Sequence, residues 1–105
     1  MLIHRALFWL KKDLTDAQRQ LFQEELSRLA RLPYLIQGWS GPVAATPHRA
    51  VTDHSFDFAT SFHFRHLEDH EHYQTQCPEH ARFVQTCQSL WDKVVVHDFE
   101  APDPD

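Results

Sequence analysis

The sequence predicts an α+β domain with the element order βαββαβ, a four-stranded antiparallel sheet with helices on one of its faces. Three observations carry that expectation. The chain opens and closes on runs of strand composition, LIHRALFWL at 2–10 and KVVVHDF at 93–99. Near its middle, Phe56, Phe58, Phe62 and Phe64 alternate with Asp57, Ala59, Ser61 and His63, the period of a strand with one buried face. Two stretches with helical start signals, at Thr15 and at Pro78, separate these runs.

In the first strand, Leu2, His4, Ala6, Phe8 and Leu10 share one face, and Ile3, Arg5, Leu7 and Trp9 the other. Both faces are largely apolar, so both must be covered. TDAQ then places Thr15 as an N-cap with Gln18 able to reach back, and Phe22, Leu26, Leu29 and Ala30 follow at helical spacing until Pro33 stops the helix. LIQGWSGPVA, about 35–44, is a second strand; it holds both glycines, Gly38 and Gly41, and Pro42, which suggests an edge strand with a bulge or bend. ATPHRAVTDH, 45–54, is a loop leading into the Phe-alternating strand SFDFATSFHF. LEDHEHYQ is a short helix with its acidic residues at the favourable N-terminal end. A further helix starts at Pro78 and runs to about Leu90, before the last strand. That order, with the second helical position split at Pro78, is the ferredoxin-like pattern.

At 105 residues the chain is read as one domain over 1–100, followed by a polar tail at 101–105 expected to be disordered. The formal net charge of −5 and the scattered lysines and arginines argue against a nucleic-acid partner. No apolar run approaches the ~20 residues of a membrane span, and the start alternates instead of forming a signal-peptide core, so a cytoplasmic protein is expected. Cys77 and Cys87 fall within one helical stretch, where a mutual bridge is hard to form; both are expected as free thiols.

Helices on one face of the sheet leave the other uncovered. Leu7, Trp9, Val95 and Phe99 belong to that second face, and a second copy stacked sheet to sheet is the simplest cover, giving a homodimer. Arg5, Asp57, His63 and His97 are placed on the same face, which predicts ion pairs or trapped water there.

Candidate chemistry concentrates in a few side chains. His4 is the one polar residue on the inner face of its strand and needs a partner when buried. His80 falls in the first turn of the helix that starts at Pro78, where the dipole favours neutral imidazole, and Tyr73 lies just before that junction. A base of this kind beside a phenol is what proton transfer requires; the structural alternative is that both simply pack at a helix junction. Cys77 sits at an N-cap position, where a thiol can be activated, but no resolving cysteine is near in sequence. His66 and His70 have i,i+4 spacing, with His72 off their face; no further ligand pattern completes a metal site, and the helix reads as solvated and acidic.

IHRALFWLK at the start, YQTQCPEHARF in the middle and WDKVVVHDFE at the end together resemble the stress-responsive A/B barrel domain (Dabb) family. The resemblance implies a dimeric α+β barrel built from two ferredoxin-like chains. It also implies His4, Tyr73 and His80 as the acid–base groups of a pocket lined by Ala6, Phe8, Phe22, Leu26, Phe83, Trp91, Val94 and Val96. Some plant members are polyketide cyclases, so the implied function is a cofactor-independent cyclase or lyase acting on a polyketide-like or aromatic molecule. The alternative is a non-catalytic stress-responsive assembly or hydrophobic-ligand binder. No cofactor and no metal are expected; the partners are a second copy and a small hydrophobic or aromatic molecule.

Overall fold

The computed structural model describes residues 1–104. Four strands, β1 (Leu2–Leu10), β2 (Gln37–Pro42), β3 (Phe58–Phe64) and β4 (Trp91–Glu100), form one antiparallel sheet in the order β2-β3-β1-β4. Three helices, α1 (Asp16–Leu29), α2 (Leu67–Thr75) and α3 (Pro78–Cys87), supply the cover, and a 3-10 turn at Gln88–Leu90 leads into β4. This is the ferredoxin-like α+β fold. Among the described residues, no helix is long and apolar enough to cross a membrane.

Local chemistry sets the element ends. Thr15 and Gln18 close a capping box at α1: the Thr15 hydroxyl accepts from the Gln18 amide at 3.1 Å, and Gln18 Oε1 accepts from the Thr15 amide at 2.8 Å. Pro78 occupies the first turn of α3, where its missing N–H leaves no bond unmade. Phe22, Leu26 and Leu29 of α1 meet Phe83 and Cys87 of α3 and Phe8, Phe62 and Phe64 of the sheet in one buried core.

The central strand β1 aligns three rows on the inner face. Phe62, His4 and Asp98 form one, Thr60, Ala6 and Val96 the next, and Phe58, Phe8 and Val94 the third. The outer face carries Ile3, Leu7 and Trp9 of β1 beside Phe99, Val95 and Lys93 of β4, with the Lys93 ammonium 4.5 Å above the Trp9 ring.

Several local expectations are corrected. β2 covers only Gln37–Pro42, and its register with β3 runs without a shift; the irregularity lies between Trp9 and Leu10, where β1 meets β4. Gly38 therefore serves close approach instead of a bend: a Cβ there would lie 2.2 Å from the Ala30 carbonyl oxygen at the end of α1. Ala30 is the C-cap and only half-buried. Phe56 precedes β3 and turns to the Trp9 ring at 6.4 Å, because strand alternation begins only at Phe58. Asp57 leaves the outer face: Oδ2 accepts from the Leu10 amide at 2.7 Å, and Oδ1 lies 3.9 Å from Arg19 on α1. Of the tail expected to be disordered, Ala101 donates its amide to the Met1 carbonyl at 2.9 Å and Asp103 accepts from the Met1 amino group at 2.7 Å, whereas Asp105 lies outside the described residues.

Because the atom in the way at Gly38 is backbone, Gly38→Ala is expected to destabilise the fold by about 1–3 kcal/mol in urea unfolding, while Gly41→Ala, which meets nothing within 4 Å, changes it little. Equal midpoints for the two variants would refute the close-approach reading.

Candidate active site

A cavity of about 320 Å³ lies between the inner face of the sheet and the helices. β1 contributes His4, Ala6 and Phe8, and β3 contributes Thr60 and Phe62. Leu26 and Leu29 enter from α1, Tyr73 and Gln74 from α2, and His80, Phe83 and Val84 from α3. Trp91, Val94 and Val96 of β4 complete the lining. Phe22, expected in the lining, sits one layer behind it. It is wholly buried, with its ring 5.2 Å from Phe8, 5.8 Å from Phe83 and 6.4 Å from Trp91. The remaining expected positions all face the cavity.

One end is aromatic. Phe83 stacks on Trp91 at 5.7 Å, and Phe8 approaches both edge-on or tilted, at 5.9 and 5.5 Å. The other end is polar: His4, Tyr73 and His80 line it, and His70 stands behind His4, outside the lining. Tyr73 and His80 lie with ring centroids 4.4 Å apart, Tyr73 and His4 5.9 Å, and His4 and His70 4.8 Å.

Each of these groups is placed by a simple local rule. His4 lies on the inner face by strand parity, and the register sets Asp98 directly across from it on β4. The buried His4 ring is held there: its Nδ1–H donates to Asp98 Oδ1 at 2.6 Å, which turns Nε2 away from that bond. Tyr73 stands one helical turn after His70, so both point from α2 to the sheet. His80 is the third residue of α3, and Phe83, one turn on, lines the same cavity.

Tyr73 and His80 differ from His4 in one respect. Among the described residues neither side chain has a protein hydrogen-bond partner, so the phenol and the imidazole are free to bond a molecule in the cavity. Burial, followed by the nearby His4 and His70, holds His80 below the ordinary histidine range, so that it is neutral near pH 7. Burial, with a smaller contribution from Cys77, raises the Tyr73 phenol well above its ordinary value and keeps it a hydrogen-bond donor. A neutral base and a neutral acid thus face one space at a spacing suited to a single small molecule.

Cys77 is outside the cavity. It is buried, accepts from the Tyr34 hydroxyl at 2.8 Å and donates to Glu79 at 3.2 Å, which makes it a fixed part of the α2–α3 junction. Cys87 is also a buried free thiol, and burial pushes its pKa up to about 11. The histidines of α2 separate: His66 precedes the helix as its N-cap, so it does not share a helix face with His70, and His72 packs against Tyr34 at 5.8 Å. His70 instead turns inward, its Nε2 3.2 Å from His4 Nδ1.

Sequence reasoning did not select Asp98 or Thr60, and weighed His70 only as a partner of His66, not as a neighbour of His4. Parity with Val94 and Val96 was the signal for Asp98, and the three-residue step to Tyr73 was the signal for His70. Thr60 lies between two phenylalanines on the inner face, where its hydroxyl accepts from the Ala6 amide at 3.3 Å.

Solved structures share this fold at low sequence identity. A dimeric ferredoxin-like protein of unknown function from Thermobifida fusca superposes with a TM-score of 0.74 at 22% identity, over 95% of this chain and 90% of its own. One from Bacteroides fragilis, likewise dimeric and of unknown function, gives 0.71 at 21% identity over 95% of each chain. A hydroxynitrile lyase from Passiflora edulis gives 0.76 at 18% identity, over 99% of this chain and 95% of its own. No curated protein matches by sequence. The profile of the Stress Responsive A/B Barrel Domain matches residues 2–101, which is nearly the entire chain and includes all of the cavity. The chain therefore belongs to the stress-responsive A/B barrel domain family.

Proposed function

We propose that this protein is a homodimeric, cofactor-independent lyase or cyclase that moves a proton on a small aromatic or polyketide-like molecule, with Tyr73 and His80 as the acid–base pair. The observation that carries the reading is the pairing of two unpartnered polar side chains, a neutral imidazole and a neutral phenol, at the polar end of an aromatic-lined cavity. In this reading His80 accepts a proton from an acidic C–H or O–H of the bound molecule. The Tyr73 hydroxyl donates a hydrogen bond to the oxygen on which negative charge develops. His4, held by Asp98 with Nε2 directed away from that bond, is the second group able to hold the proton before its return to product.

The cavity lies at the small end of the ~300–1,000 Å³ range of ligand pockets, so a single ring with a short side chain suits it better than a fused polycycle. Phe83 and Trp91 offer the ring a stacking surface, and the polar end receives its oxygen substituents. The hydroxynitrile lyase among the similar structures supports this chemistry for the fold and leaves the substrate of this chain to experiment.

Two copies joined through the outer faces of their sheets complete the proposal. Ile3, Leu7, Trp9 and Val95 form an apolar strip that extends to the exposed Phe99 and Trp39, and similar structures are described as dimeric. The free buried thiols are in keeping with the reducing cytoplasm.

Trp91 provides a direct test, because it lines the cavity while Trp9 and Trp39 lie on the outer face. Titration with monocyclic phenols and aryl ketones is expected to quench one tryptophan signal with one molecule bound per chain, and Trp91→Phe is expected to abolish the quench without abolishing binding. Quenching that persists in Trp91→Phe, or no binding by any member of the panel, would count against the cavity as the ligand site.

A further inference from the structure

We propose that His4, His70 and Asp98 form a zinc(II) site at the rim of the cavity, with a fourth position open to water. The three side chains come from β1, α2 and β4, three elements far apart in sequence, and they converge on one point. His4 Nδ1 lies 3.2 Å from His70 Nε2 and 2.6 Å from Asp98 Oδ1, and His70 Nε2 lies 4.0 Å from the same Oδ1. A point about 2.0 Å from all three atoms exists, the length of zinc–nitrogen and zinc–oxygen bonds, but it lies in their plane with His70 Nε2 and Asp98 Oδ1 nearly opposite, so tetrahedral binding requires one ligand to move. The edge of a tetrahedron with such bonds is about 3.3 Å, which the histidine pair already matches.

The donor chemistry selects the ion. Two imidazole nitrogens and one carboxylate suit zinc and its d-block neighbours, whereas magnesium and calcium require oxygen donors throughout. The two ring nitrogens and the carboxylate oxygen crowd one another, so a single compact cation can take the place of the ring proton between them. The one member out of place is also the freest: Asp98 is too near His4 and too far from His70, and its side chain is 40% exposed against 6% and 14% for the two histidines. A movement of Asp98 Oδ1 by about 1.5 Å, within the reach of a side-chain rotation at an exposed carboxylate, evens both distances and brings the set to tetrahedral spacing. The same exposure gives the ion its path from solvent.

His70 and Asp98 lie outside the cavity lining, so the metal acts as a clasp; with Nδ1 of His4 on the ion its ring proton sits on Nε2, so in the zinc form His4 donates a hydrogen bond into the cavity and His80 alone takes up the proton. The ion joins α2 to the two central strands and thereby fixes the helix that presents Tyr73. The sequence expectation of no metal rested on the missing motif; ligands drawn from three separate elements leave no local motif to find.

The test uses the full chain without an added polyhistidine tag. Zinc titration by calorimetry is expected to show one ion per chain and a rise in melting temperature, with no effect of magnesium at the same concentration. Cobalt(II) is expected to give the intense visible bands of four-coordinate geometry. His70→Ala is expected to weaken zinc binding at least ~10²-fold, Asp98→Asn to weaken it similarly, and His72→Ala to leave it unchanged. Should His70→Ala fold poorly, Asp98→Asn decides the matter alone. Zinc affinity unchanged in the variant that folds, loss of affinity in His72→Ala, or a cobalt spectrum like that of the aqua ion would each overturn the proposal. None of these readouts involves His80, so their failure leaves the acid–base reading untouched.

Discussion

Replacing His80 by alanine is expected to lower turnover by at least ~10²-fold while leaving the melting temperature nearly unchanged, the loss that follows removal of a general base. The fold tolerates the change because His80 has no protein hydrogen-bond partner among the described residues and stands in the first turn of α3, beside Pro78 and not in the aromatic core. A structural His80 would behave in the opposite way, with a lower melting temperature and unchanged turnover. Tyr73→Phe keeps the ring that packs against Phe62 and Phe64 and removes only the hydroxyl, so it is expected to reduce turnover with little effect on unfolding. The pH dependence has a defined sign. Because burial and the facing His4 and His70 depress the His80 pKa, the active neutral base persists below the ordinary value of ~6.5, and the rate falls only as pH drops through the depressed pKa. An acid limb above ~6.5 would assign the base to another group.

The second large effect concerns assembly. Leu7→Asp is expected to convert a dimer into a folded monomer at micromolar concentration, read by light scattering. Leu7 pairs with Val95 in the middle of the outer face, and an unpaired carboxylate enclosed between two sheets costs about 3–5 kcal/mol, a weakening of more than ~10²-fold in dissociation constant. A substitution on the solvent side of α1, such as Gln23→Asp, should leave the dimer intact. A wild-type protein that scatters as a monomer would contradict the sheet-to-sheet arrangement outright.

The fold was largely legible because its signals are local and repeated. Strand parity placed His4, Ala6 and Phe8 together, the capping box marked the start of α1 and Pro78 marked α3. What escaped depends on contacts between distant segments. The role of Gly38 is set by the Ala30 carbonyl across the α1–β2 junction, and Asp57 is drawn off the strand face by the Leu10 amide and Arg19. In the site, type and parity were enough to single out His4 and His80. The partner of His4 required the β1–β4 register, and the inward turn of His70 required the helix to begin at Leu67. Phe22 illustrates the remaining difficulty: helical spacing shows that it faces the core, but not that Phe8 and Phe83 stand between it and the cavity.

The most direct test of the acid–base claim is a crystal structure with a monocyclic phenol or aryl ketone bound. The expected result is a ring stacked at Phe83 and Trp91, with one oxygen within ~2.6–3.2 Å of the Tyr73 hydroxyl and the proton to be removed in reach of His80 directly or through one water. A ligand seated on the outer face of the sheet, or one bound in the cavity with the His80 ring turned to solvent, would contradict it.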